Sequence, residues 1–188
     1  LRRGQGYSGL LAGLVTAEIH RADASVGTFF SGQDSLFTGS IELLGSEQQK
    51  NTFLPDLYSV RKTGVFAITE PNAGSDVAKG MTTTAQKTDG GWIINGEKRW
   101  IGNATWSDYV LVFARDIADD ECKGFIIDTQ SEGYSASLIE NRIALRAVQN
   151  ADITLKDVFV PDDMKLEKAD SFKGTNEVFK SARATVGW

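Results

Sequence analysis

Val65-Phe66-Ala67-Ile68-Thr69-Glu70-Pro71-Asn72-Ala73-Gly74-Ser75-Asp76 starts as a β-rich run and ends as a turn of hydroxyls and small residues. It sits where the hydrophobic period changes, near Gly64: helical spacing precedes it and short β-rich runs follow. A strand that opens into such a turn can leave backbone amides free to meet an anion or a polar ring edge. Gly74 would let backbone approach a ligand closely, and Thr69 and Ser75 offer hydroxyls. On residue chemistry alone, a ligand loop and a Pro-Asn turn with satisfied caps fit equally well.

Upstream, Leu10, Leu14, Ala17 and Ile19 recur near helical spacing, and Phe37, Ile41 and Leu44 do so again, which predicts two or three helices. Gly45 reads as a stop and Ser46 as the N-cap of a new helix, with Gln49 placed to answer its amide. Pro55 is expected to close that helix or bend its end. Downstream, the runs Val65–Thr69, Thr82–Thr88, Trp92–Ile94, Lys98–Ile101, Tyr109–Ala114, Gly124–Asp128 and Asp152–Val160 read as strands. Asn95-Gly96 and Asp89-Gly90-Gly91 read as hairpin turns. After Pro161 the chain turns polar, and Thr175-Asn176-Glu177 opens a helix carrying Val178, Phe179, Ala182 and Val186. The expected class is α+β: part of a helical domain over 1–63, an antiparallel β-barrel or sandwich over 64–163, then a linker and the start of a further helical domain over 164–188.

The 188 residues suffice for one generous domain or a small one plus part of another. With 41% hydrophobic and 24% charged residues the chain reads as globular, not disordered. Twenty basic against 25 acidic residues give a net charge of -5, which disfavours nucleic acids and anionic membrane surfaces. Cys122 is the only cysteine, so no internal disulfide and no cysteine-rich zinc site is available. The longest apolar stretches, Leu10 to Val15 and Tyr109 to Ala114, fall well short of the roughly 20 residues that span a bilayer. The compartment is unknown; cytoplasmic, mitochondrial and peroxisomal settings are all compatible.

Thr69-Glu70-Pro71-Asn72-Ala73-Gly74-Ser75-Asp76 resembles the flavin-binding signature of the acyl-CoA dehydrogenase and oxidase family, which joins a helical N-terminal domain to a β-domain. Gly96-Glu97-Lys98-Arg99-Trp100-Ile101-Gly102-Asn103 is similar to the family's next signature. Leu145-Arg146, Gln149-Asn150 and Asp157-Val158-Phe159-Val160-Pro161 resemble the strand that ends its β-domain. Thr16-Ala17-Glu18-Ile19, Asp23-Ala24-Ser25, Gly45-Ser46-Glu47 and Val148-Gln149-Asn150 resemble the branch of glutaryl-CoA dehydrogenases and short-chain acyl-CoA oxidases.

The resemblance implies FAD as cofactor and an acyl-CoA thioester as substrate, oxidised between its α and β carbons. Phe66, Ile68, Thr69, Gly74, Ser75, Trp100, Ile101 and Gly102 would line the flavin, with Trp100 covering one face. Ser75, Phe179 and Arg183 would meet the CoA thioester. Electrons would pass to an electron-transfer flavoprotein or to oxygen, and the full-length protein is expected to be a homo-oligomer. The family's catalytic glutamate belongs to a C-terminal helical domain beyond Phe179 and Arg183, so no catalytic base is assigned and the 188 residues are expected to be inactive alone. Gly102 stands where most family dehydrogenases carry threonine, which implies open space beside the flavin edge and keeps an oxidase reading in play. Gly27 stands where glutaryl-CoA dehydrogenases carry an arginine for the distal carboxylate, which disfavours a dicarboxylyl substrate.

Plainer readings stand beside these. The chain could be a non-catalytic β-barrel binding module or a structural interaction protein. His20 reads as an ordinary helix residue and a metal site is not expected. Trp92, Trp106 and Trp188 read as core or rim packing, Cys122 as an inert thiol before a Lys-Gly turn, and Asp116 to Lys123 as a solvated hairpin loop.

Overall fold

The computed structural model describes residues 6 and 8–187, with backbone only at 184 and 185. Ser8 caps α1 (Gly9–Ala22) by accepting from the Leu11 amide, and Asp23 caps α2 (Ala24–Ser31) by accepting from Ser25 and Val26. A π-helical stretch, Gly32–Thr38, leads into α3 (Gly39–Leu44). The expected capping box holds α4 (Glu47–Tyr58): Ser46 Oγ accepts from the Gln49 amide, and Gln49 Oε1 from the Ser46 amide. Pro55 lies inside α4 without ending it, and the helix runs on to Tyr58.

Seven strands follow: β1 (Gly64–Ala67), β2 (Thr84–Thr88), β3 (Gly91–Gly102), β4 (Tyr109–Asp116), β5 (Cys122–Asp128), β6 (Tyr134–Leu138) and β7 (Asn150–Pro161). They form one sheet in the order β1-β4-β2-β3-β7-β6, with β5 on the other side of β4. The α+β class holds, but the sheet is mixed. β1 runs parallel to β4 from Gly64 against Tyr109 to Ala67 against Val112, and β2 rejoins the same strand in parallel at Arg115 and Asp116. Residues 68–83 thus leave one edge of β4 and return to it, carrying the short helix α5 (Val77–Gly80). Hydrophobic alternation marks which side chains point inward and says nothing of strand direction, so the parallel pairs were invisible in it.

Asp89-Gly90-Gly91 makes the expected β2–β3 hairpin. Asn95-Gly96 does not turn: β3 runs through it, with a register shift against β7 between Ile94 and Gly96. Asn95 Nδ2 donates to Asp157 Oδ1 and Asn95 Oδ1 accepts from the Asp157 amide, so the Asn-Gly pair serves a bulge instead. β6 was not foreseen, because Tyr-Ser-Ala-Ser-Leu offers only weak alternation.

β4 and β5 bury both faces, which is why they read as continuous apolar runs. Val110, Val112, Ala114, Phe125 and Ile127 join Trp92, Ile94, Ile153 and Val158 inside the curl of the sheet. Leu111, Phe113 and Ile126 face Phe37, Ile41, Phe53 and Leu57 of the helices. Cys122 and Lys123 belong to β5 and not to a turn; burial pushes the Cys122 thiol up to about 11. The Asp116–Lys123 hairpin is less solvated than expected, since buried Lys123 donates to buried Asp116 and to Asp119. After a single 3-10 turn, Asp162–Met164, the chain forms α6 (Phe172–Val186), three residues earlier than Thr175, and Val178 joins the helix-side core. Trp92 is core and Trp106 is half exposed beside Phe29, whereas Trp188 lies outside the described residues.

Candidate active site

The 68–83 excursion is closed at its base by one side chain. Glu70 accepts from the amide and hydroxyl of Thr82, at 2.6 and 2.7 Å, and from the amide of Thr83 at 3.0 Å. Lys98 of β3 completes the arrangement: its Nζ donates to Glu70 Oε1 at 2.8 Å and to the Ile68 carbonyl at 3.4 Å. The two side chains are 0% and 1% exposed. Burial works to raise the Glu70 pKa, but the charge and hydrogen bond of Lys98, with those of Thr83 and Thr82, outweigh it and hold the carboxyl at about 2. Burial pulls Lys98 down from its ordinary value, opposed by Glu70.

Alongside this pair the loop and the strand are joined by their backbones. The Arg99 amide donates to the Thr69 carbonyl at 2.9 Å, and Thr69 Oγ donates back to the Arg99 carbonyl. The next residue is Trp100, at φ +64°, within a second register shift between Lys98 and Ile101. A bulge with a bulky residue in left-handed conformation turns a side chain that alternation would hold against the sheet. Trp100 is accordingly 54% exposed, with the Arg99 guanidinium 5.3 Å from its ring centre. Asn103, at φ +65°, ends the bulge by exchanging two hydrogen bonds with Gln149.

Between this edge of the sheet and the helices lies a cavity of about 630 Å³. Phe66, Trp100, Gly102, Phe179 and Arg183 of the expected site residues line it, together with Phe29, Gln33 and Leu36 from the helical side. Ile68 and Ile101 are packed in the two cores, so only their backbones can serve a ligand. Thr69 spends its hydroxyl proton on Arg99, while Gly74 and Ser75 are exposed on the excursion outside the cavity wall. The amides of Gly74, Ser75 and Asp76 have no acceptor among the described residues, and a Cβ at Gly74 would meet nothing within 4 Å.

Of two glycines singled out in the sequence, Gly102 differs from expectation and Gly27 has a neighbour the sequence did not show. Gly102 does not leave a gap: a Cβ there would lie 3.0 Å from Val148 Cγ1 and 3.3 Å from Asn150 Oδ1. Gly27 is a seat for His20, whose ring would be 2.4 Å from a Cβ at that position. His20 therefore lines the cavity, which reading it as an ordinary helix residue missed. Arg183 and His20 are the only titratable groups among the described residues of the lining, and no carboxylate is present there.

Residues 3–61 match the family described as Acyl-CoA dehydrogenase, N-terminal domain, and residues 65–158 match Acyl-CoA dehydrogenase, middle domain. The chain belongs to the acyl-CoA dehydrogenase family. It is 33% identical over 168 residues to the mitochondrial isovaleryl-CoA dehydrogenase of Arabidopsis thaliana, covering 88% of this chain and 41% of that one. It is 34% identical over 175 residues to the 3-(aryl)acrylate reductase of Clostridium sporogenes, covering 92% and 45%. A crystal structure of a glutaryl-CoA dehydrogenase from Mycobacterium smegmatis in complex with FADH2 superposes with a TM-score of 0.92 at 34% identity, over 97% of this chain and 46% of that one. The chain thus spans less than half the length of these acyl-CoA dehydrogenase relatives.

Within a family of FAD-dependent oxidoreductases the residues present suit a flavin. Trp100 offers one ring to the cavity, the unpaired amides of Gly74 to Asp76 form a donor set for anionic or carbonyl oxygens, and open space at Gly74 allows close approach.

Proposed function

We propose that this chain supplies the FAD- and thioester-binding part of an enzyme that oxidises a short, uncharged acyl-CoA between its α and β carbons. The observation that carries the reading is Trp100, turned out of the sheet by a strained bulge onto the cavity, beside a loop fixed by the Glu70–Lys98 pair. Bound FAD would accept the hydride leaving the β carbon. Trp100 and Phe66 would hold the ring plane and exclude water. Phe179 and Arg183 would orient the CoA arm, with the guanidinium already 5.5 Å from the Phe179 ring centre. Ser75 would serve as a hydroxyl donor at the loop. The described residues of the lining hold no carboxylate, so a carboxylate base for the α proton would come from outside them.

The preference for a short acyl group follows from one cavity having to admit both a ring and a thioester chain. The preference for an uncharged one follows from Gly27, where His20 occupies the room a cationic side chain would need. An electron-transfer flavoprotein is the acceptor we favour over oxygen, because Val148 and Asn150 fill the space beside Gly102. The test is a visible difference spectrum of the FAD-loaded protein on adding butyryl-CoA. A saturable shift supports the reading; a flat difference spectrum with flavin still bound contradicts it.

A further inference from the structure

Two polar groups on the helical wall of the cavity have no protein partner. Ser31 Oγ is buried and makes no hydrogen bond. The Nδ1 of His20 lies 2.9 Å from the Thr16 carbonyl oxygen; a carbonyl only accepts, so the proton of the neutral ring is on Nδ1 and Nε2 is an acceptor. No described residue bonds to Nε2. Both residues line the cavity.

They also share one wall. The His20 ring rests on Gly27, and Ser31 follows Gly27 by four residues on α2, one turn along the same face. The neighbouring polar side chains are occupied internally: Thr28 Oγ donates to the Ala24 carbonyl, and Gln33 holds the Gly64 amide and the Lys62 carbonyl. The remaining pair consists of one acceptor and one hydroxyl able to donate or accept.

We infer that His20 and Ser31 form a subsite for a hydroxyl group carried on the acyl chain of the CoA substrate. The inference rests on the acyl-CoA reading above and narrows it. An alcohol can both donate, as Nε2 requires, and accept, as the Ser31 hydroxyl allows. A plain hydrocarbon leaves the Ser31 hydroxyl as unpaired as it already is and gains neither hydrogen bond. A carboxylate has no proton for Nε2, and with the imidazole neutral Arg183, on α6, is the one charged side chain among the described residues of the lining.

Calorimetric titration of the FAD-loaded protein, at a pH where imidazole is neutral, tests this. Omega-hydroxyacyl-CoAs of four to six carbons are compared with their parent acyl-CoAs and with the matching dicarboxylyl-CoAs. The expected result is that one hydroxyacyl-CoA binds about tenfold more tightly than its parent, the scale of one or two neutral hydrogen bonds. That ratio should fall to about one in Ser31→Ala, which is nearly isosteric, and in His20→Phe, which keeps a ring on Gly27. Equal affinities in the parent protein, a ratio unchanged by both substitutions, or tighter binding of the dicarboxylyl-CoA overturns the subsite alone. Absence of binding by every acyl-CoA overturns the acyl-CoA reading, and the subsite with it.

Discussion

Lys98 Nζ stands 2.8 Å from Glu70 Oε1 with both side chains out of solvent, which ties the loop carrying Gly74 and Ser75 to the strand carrying Trp100. The two charges compensate each other, with the Thr82 and Thr83 donors on Glu70 and the Ile68 carbonyl on Lys98. Removing one partner leaves the other buried and uncompensated. Lys98→Met should therefore cost about 3–5 kcal/mol, with Glu70→Gln in the same chain recovering part of it. Denaturant melts of the single and double variants check this, and an effect under about 1 kcal/mol for the single variant would contradict it.

The same carboxyl sets an acid limit. Its pKa falls from 4.5 to about 2 on folding, so the unfolded chain binds the proton more readily. Its contribution to stability is complete above 4.5 and is lost as pH falls toward 2. Thermal melts across that window should show a smaller acid loss in the Glu70→Gln, Lys98→Met double variant than in the parent.

Gly102 sits against Val148 at a separation that would force a Cβ to push its neighbour. Gly102→Ala should destabilise by about 1–3 kcal/mol through overpacking, and Val148→Ala should relieve part of that. Additive melting shifts in the double variant would show that the two positions do not touch.

Gly27→Ala should likewise be costly, since its Cβ would enter the His20 ring, and Gly27→Arg should displace the imidazole from the cavity wall. His20→Ala in the Gly27→Ala background should recover stability. Failure of that recovery in thermal melts would mean that the ring moves aside freely.

The chain should show no acyl-CoA dehydrogenase turnover on its own, because the described residues lining the cavity include no carboxylate to take the α proton. Reduction of an artificial acceptor by butyryl-CoA after FAD loading measures this. Sustained turnover would contradict this and point to the His20 imidazole as the base.

Much of this architecture was legible in the sequence. The helical period before Gly64, the Ser46–Gln49 capping box and the Asp89-Gly90-Gly91 hairpin are local signals, and the structure contains each. The parallel pairing of β1 and β2 with β4 is a long-range choice that alternation does not encode. Asn95-Gly96 misled because the same pair that suits a tight turn also suits a bulge. In the site, the signature stretches pointed to Trp100 and the excursion, yet the Glu70–Lys98 pairing spans 28 residues and needed coordinates. The reading of Gly102 as open space failed because a missing side chain says nothing of which neighbour moves in, and at Gly27 the sequence showed the missing arginine but not the His20 ring that packs there.

The central claim is that the exposed face of Trp100 and the 68–83 excursion together hold a flavin, and equilibrium dialysis of the folded protein against FAD tests it most directly. The account predicts saturable uptake of one FAD per chain, weakened roughly tenfold by Trp100→Ala, about the worth of one aromatic stacking partner. Folded protein that takes up no FAD, or uptake indifferent to Trp100→Ala, would contradict it.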